Sequence, residues 1–225
     1  MTDTAALEEA EAQPRDEQRE ALLAALTNEL GDALVGSHIA PGHDLWIRVT
    51  RSAWVDTFRM LRTKHRLHFF NWLSAIDWLP SPFGRELDSE VDHIVHGRSE
   101  REPEPMVAGY AGGDTRFQLI ARVDNVVDHW GLFVKCDLPD DDLVVDTLVP
   151  VYAGANWHER EVHEMFGIDF AGHPDLRNLY LPTDFEGHPL RKDFPLLSRR
   201  IKPWPGIVDV EPMPGEDEGD EGGEG

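Results

Sequence analysis

Two histidines, two glutamates and an arginine fall within six residues at His158-Glu159-Arg160-Glu161-Val162-His163. The run invites a metal-hydrolase reading, because H-E-x-x-H on a helix puts two imidazoles on one face for zinc, with the glutamate as base. The spacing fails that test. Val162 stands where the second histidine belongs, and His163 comes one residue late, about 140° round the helix from His158. Side chains so placed cannot share an ion. What remains is a helix with two specialised faces. At about 100° per residue from Trp157, residues His158, Val162, Met165 and Phe166 form an apolar stripe suited to the core. Trp157, Arg160, Glu161 and Glu164 lie on the other side, a composition that suits a protein interface. The plainer reading is an i,i+4 surface pair of Arg160 and Glu164, contributing roughly 0.2–0.5 kcal/mol.

A second group of candidates follows. Phe170-Ala171-Gly172-His173-Pro174-Asp175-Leu176-Arg177 is echoed by Phe185-Glu186-Gly187-His188-Pro189-Leu190-Arg191. Each proline disfavours the helical conformation at the histidine before it, so both turns lead into extended chain. Turn formation is therefore the expected role of His173 and His188, with metal ligation or proton relay as the alternative. Tyr180, Phe194 and Trp204 cannot be buried by an extended segment alone, so the domain or another protein must cover them. Arg177, Arg191, Lys192, Arg199 and Arg200 are candidates for pairing with carboxylates of a partner.

These residues need elements to position them. Leu22, Leu23, Leu26 and Leu30 mark a first helix that Gly31 stops. Strands are expected at 34–39, 45–50 and 67–79, the second with Leu45, Ile47 and Val49 on one face. Between the last two, Ser52 can cap a helix burying Trp54, Phe58 and Leu61. Residues 80–113, rich in proline, glutamate and glycine, read as an inserted loop. Two strands follow, one showing Phe117, Leu119, Ala121 and Val123 to one side, the other Leu132, Val134 and Cys136. The Asp-rich 137–146 stretch lacks the spacing of a calcium loop and reads as a solvated turn. Asn156 and Glu159 fit a capping box, with Gly167 ending the helix. The expected fold class is α+β: a two-layer domain over 17–170 with a mostly antiparallel sheet and helices on one face. An extended partner-wrapping tail would cover 171–208, between disordered acidic ends at 1–16 and 209–225.

Composition narrows the function classes. The 225 residues carry 43 acidic and 21 basic side chains, a net charge of −22, which argues against a general nucleic-acid binder. The single cysteine, Cys136, rules out an intramolecular disulfide and a cysteine-ligated cluster held by this chain alone. It reads as a small buried strand residue. Residues 147–158 form the longest stretch free of Asp, Glu, Lys and Arg, too short to span a bilayer. Neither is there a signal-peptide pattern at the N-terminus. A cytoplasmic chain, or one peripheral on a membrane complex, is expected.

Glu159-Arg160-Glu161-Val162-His163-Glu164-Met165-Phe166, six residues, then His173-Pro174-Asp175-Leu176-Arg177 resembles the signature of the 30-kDa subunit family of respiratory complex I, the proton-pumping NADH:quinone oxidoreductase. Gly187-His188-Pro189-Leu190-Arg191-Lys192-Asp193-Phe194-Pro195 resembles the same family's second block. The sequence departs from the pattern at Glu164, where aspartate is common, and in the 80–113 insertion. The resemblance implies a non-redox structural subunit of the peripheral arm, on the cytoplasmic side of the bacterial membrane. Its tail would wrap neighbouring subunits, chiefly the one that forms the quinone site. It implies no cofactor in this chain; FMN and iron–sulfur clusters would belong to partner subunits. Trp157, Arg160, Glu161, Glu164, His173, Arg177, His188, Arg191 and Lys192 are then the expected partner interface. The related alternative is the equivalent subunit of a membrane-bound hydrogenase-type complex. From another class, the alternative is a soluble metal-dependent hydrolase. On the first reading, removing residues 209–225 should leave assembly intact.

Overall fold

The computed structural model describes residues 16–80 and 105–194. The expectations for residues 1–15, for most of the insertion, and for Arg199, Arg200, Trp204 and the acidic C-terminus lie outside them.

The first helix, α1 (Glu17–Leu30), begins where the Asp16 side chain accepts the Arg19 N–H, and Gly31 ends it. Leu26 is fully buried, and Leu22, Leu23 and Leu30 pack on the same core. Strands β1 (Leu34–His38) and β2 (Leu45–Val49) follow as an antiparallel pair. Helix α2 (Trp54–Thr63) buries Trp54, Thr57, Phe58 and Leu61. The expected Ser52 cap is not used: residues 51–53 form a 3-10 turn, Ala53 is the cap residue, and no side chain caps it.

Strands β3 (Phe69–Asp77), β4 (Phe117–Asn125) and β5 (Trp130–Leu138) complete a five-stranded sheet in the order β1-β2-β5-β4-β3. Every pairing is antiparallel except β2 with β5. The fold is α+β, with a mostly antiparallel sheet. Leu45, Ile47, Val49, Leu119, Ala121, Val123, Leu132, Val134 and Cys136 line one side of it. They form one core with the apolar residues of the three described helices, the third being α3 (Ala155–Phe166). Cys136 is the buried strand residue the alternation indicates, its thiol pushed up to about 12 by burial.

The 137–146 stretch is not wholly a turn. Val144–Asp146 forms β6, which pairs in parallel with β7 (Asp169–Ala171) and so brackets α3. Each strand has only three residues, and their pairing spans the whole helix. No local periodicity could reveal it.

The other side of the sheet carries Trp46 stacked on Phe133 at 4.0 Å between ring centroids, with Tyr110 edge-on to Trp46. Residues 108–114 strap part of it. Lys135 donates to Tyr110 O (2.9 Å) and Gly112 O (2.8 Å), and Arg48 binds both Asp114 and Asp137. Gly36 permits the approach, since a Cβ there would lie 2.5 Å from Ala111 O.

Candidate partner interface

Helix α3 is the element that organises the site. Its C-terminal boundary matches expectation: Gly167 takes the left-handed conformation (φ 71°), and its N–H donates to His163 O. Its N-terminus does not. The cap residue is Gly154 without a side-chain cap, so the Asn156–Glu159 capping box is absent. Glu159 turns inward instead. It has no exposed surface and accepts hydrogen bonds from Thr147 Oγ1 and from Leu148 N–H at 2.6 Å. Burial pushes its carboxyl up to about 7, although both donors pull the other way.

The tail after β7 runs the length of α3, from the first turn to the last. At the start, His173 Nε2 lies 3.2 Å from Asn156 O, while His173 Nδ1 accepts the Asp175 N–H at 3.0 Å. One turn on, Arg160 donates from Nε to Arg177 O and from Nη2 to Asn178 O, both at 2.9 Å. Glu164 then accepts three successive backbone N–H groups, those of Leu179 (3.0 Å), Tyr180 (3.0 Å) and Leu181. Burial raises the Glu164 carboxyl, but those N–H groups, with Arg160 nearby, more than offset it and hold it below its ordinary value.

The second His-Pro block meets the end of the helix, where the last-turn carbonyls have no intrahelical partners. His188 Nδ1 donates to Glu164 O (2.9 Å), Leu190 N–H to Met165 O (3.1 Å) and Arg191 Nε to Phe166 O (2.6 Å). A cation at this end also complements the helix dipole. Arg191 lies over the Phe117 ring at 5.2 Å. One residue later, Lys192 N–H donates to Asp77 (2.8 Å), whose carboxylate also holds Arg116, and Arg116 reaches Asp193 at 2.9 Å.

The residues expected on one partner-facing surface thus divide in two. Trp157 is 68% exposed and Tyr180 62%, with Phe185 and Leu190 also exposed. Arg177 is exposed and paired with its neighbour Asp175 at 2.9 Å, and Glu161 is half-buried. Arg160, Glu164, His173, His188, Arg191 and the backbone of Lys192 bind their own chain. Arg160 and Glu164 are therefore more than a surface pair: each grips the backbone of the tail. His173, expected at the interface, has a fully buried side chain. Asp77, Arg116 and Thr147 carry no signal in the sequence. They are isolated polar residues at strand ends, and only the fold brings them to the tail and helix. Neither histidine of the 158–163 run is placed for shared ligation: His158 packs on Phe70, and His163 pairs with Asp169 at 2.9 Å. Among the described residues, no three His, Cys, Asp or Glu side chains are grouped to hold a metal ion. No described helix is long and apolar enough to cross a membrane.

Residues 47–200 match the family described as respiratory-chain NADH dehydrogenase, 30 Kd subunit. An NADH-quinone oxidoreductase subunit of Bordetella petrii is 34% identical over 155 residues, covering 68% of this chain and 67% of its own. Its counterpart in Francisella tularensis subsp. novicida is 38% identical over 118 residues, covering 47% of this chain and 55% of its own. The matched part therefore spans 55–67% of these two relatives. Among solved structures, the membrane-bound sulfane sulfur reductase, an archaeal respiratory membrane complex, includes a similarly folded chain. It aligns with a TM-score of 0.55 and 21% identity over 81% of this chain and 88% of that one. The family match takes in the sheet from within β2 onward, helix α3 and the tail laid along it, and the chain belongs to the family of the 30-kDa subunit of respiratory-chain NADH dehydrogenase.

Proposed function

We propose that the chain is a structural, non-redox subunit of the peripheral arm of a proton-translocating NADH:quinone oxidoreductase, with menaquinone a candidate acceptor. It docks the quinone-site subunit from the cytoplasmic side of the bacterial membrane and meets the membrane only through the complex. Electrons pass from NADH through FMN and iron–sulfur centres of partner subunits to quinone. This chain keeps the geometry around that path fixed.

The observation that carries the reading is the division of labour on α3 and its tail. Charged side chains that could have met solvent are spent on backbone groups that tie helix and tail together, while Trp157, Tyr180, Phe185 and Leu190 are left exposed. A rigid display of large apolar side chains is what an anchoring surface needs, because little side-chain and loop entropy remains to be lost on docking. The lone cysteine, buried and with its thiol pushed up to about 12, suits a chain that carries no cluster of its own.

The test is assembly. Trp157→Ala and Arg160→Ala should each lower the amount of intact complex on native gels severalfold, while the complex that does form oxidises NADH at its usual rate per flavin. Normal amounts of complex with altered turnover would contradict the reading.

A further inference from the structure

Glu159 is a carboxylic acid with no exposed surface, at the point where three segments meet. The connection after β6 supplies two donors, Thr147 Oγ1 and Leu148 N–H. The start of the tail supplies His173, whose Nε2 lies 3.9 Å from Glu159 Oε2 and whose side chain is likewise fully buried. The helix itself contributes Asn156 O, beside the same imidazole nitrogen. Because His173 Nδ1 accepts the Asp175 N–H, the hydrogen-bond network assigns the ring proton to Nε2, facing Asn156 O and Glu159. Beyond this contact, Asp56 and Arg59 of α2 and Asp146 of β6 line an open pocket over Thr147 and Ala171. Among the described residues, His173 is the one basic side chain within ion-pair distance of Glu159.

The arrangement holds two states with different consequences. Protonated, Glu159 is a neutral group in a dry site. Ionised, it is a buried anion with two hydrogen-bond donors and the His173 imidazole Nε2 no nearer than 3.9 Å. Burying an anion so weakly compensated is costly, and opening the site to water relieves the cost. The segment that must lift for water to enter begins at His173.

We propose that the Glu159–His173 contact is a proton-operated latch, which holds the start of the tail on α3 while Glu159 is protonated and loosens it when the proton leaves. The latch rests on the interface reading only in its consequence, since the segment it governs presents Tyr180. Its existence can be tested on the chain alone.

The carboxyl is held at about 7 in the latched state, against an ordinary 4.5 once open to water. Latching therefore takes up a proton between those two values. The latched state is favoured most below about 4.5 and loses that advantage as pH rises through 7. Hydrogen–deuterium exchange on the full-length chain, corrected for intrinsic rates, reads this directly. Protection of 173–181 relative to β4 and β5 should fall by about tenfold or more between pH 5 and pH 7, then level off. In Glu159→Gln the fall should vanish. Thr147→Val removes a donor to the ionised form and should move the midpoint to higher pH, which keeps the test open if Glu159→Gln does not fold. A flat profile in the native chain, an undiminished fall in Glu159→Gln, or an unmoved midpoint in Thr147→Val overturns the latch. Exchange in the free chain involves no partner. A working latch in a chain that recovers no respiratory subunits from membranes would therefore sink the interface reading alone, and the reverse result would sink only the latch.

Discussion

Three successive backbone N–H groups, those of Leu179, Tyr180 and Leu181, end on the single carboxylate of Glu164. Removing it leaves partly buried donors without an acceptor, so Glu164→Ala should cost about 2–3 kcal/mol and lower the urea midpoint. An unchanged midpoint would show that water replaces the carboxylate without loss. Lys135 offers a second measurement. Fully buried, it is pulled down to about 8 by burial, with Asp137 opposing and Arg48 adding. Between about 8 and 9 the folded chain then holds fewer protons than the unfolded one, so stability should rise across that window, and above 9 the buried Cys136 thiol, which stays protonated in the folded chain, opposes it. Lys135→Met should flatten the rise, and a fall in the native chain would contradict the assignment. Sequence alone gives 157–166 two faces, with Glu164 on the outer one, whereas in the structure Glu164 is buried. Sequence did not show that Arg160 and Glu164 grip the tail, because their acceptors and donors are backbone groups, which leave no trace in side-chain patterning. Lys135, alternating with Val134 and Cys136, reads as an outward strand residue. The 108–114 strap and the Trp78 ring cover it.

At the scale of elements, α3 and the tail form one unit. The 15-residue repeat of His-Pro turns was visible as a pattern, and its meaning emerges only with the helix in place. The first turn meets the opening turn of α3, and the second satisfies the carbonyls of its last turn. Gly167 makes the second contact possible. A Cβ there would lie 2.5 Å from His188 Nε2 and 2.5 Å from Arg191 Nη2, in a left-handed conformation that already disfavours other residues. Gly167→Ala should therefore cost more than the roughly 1 kcal/mol of conformational strain alone and raise hydrogen exchange at 188–191. Equal exchange in variant and native chains would show that the tail end is not held by this contact. Long elements with clear periodicity (α1, α2 and the strands of the main sheet) were legible from sequence to within a few residues. Both helix caps proposed from short motifs were not. At α2 a 3-10 turn displaces Ser52, and at α3 the glutamate of the motif is drawn into the core by Thr147 and Leu148.

For the whole molecule, the sheet divides the chain's tasks. One side packs against the three described helices in a single core, and the other carries the Trp46–Phe133 stack and the 108–114 strap. Cys136 lies on the core side, so in the native chain it should resist thiol reagents at pH 8 and react only on unfolding. Labelling of the native chain at the unfolded rate would mean that β5 opens readily. Anchoring of partners through α3 and its tail is tested most directly by affinity purification of the tagged chain from gently solubilised membranes, with the co-purifying proteins identified by mass spectrometry. A structural subunit should be recovered with flavin- and iron–sulfur-bearing NADH-dehydrogenase subunits and integral membrane subunits, and Trp157→Ala should lose that set. Recovery of the chain alone from the soluble fraction would contradict the anchoring role.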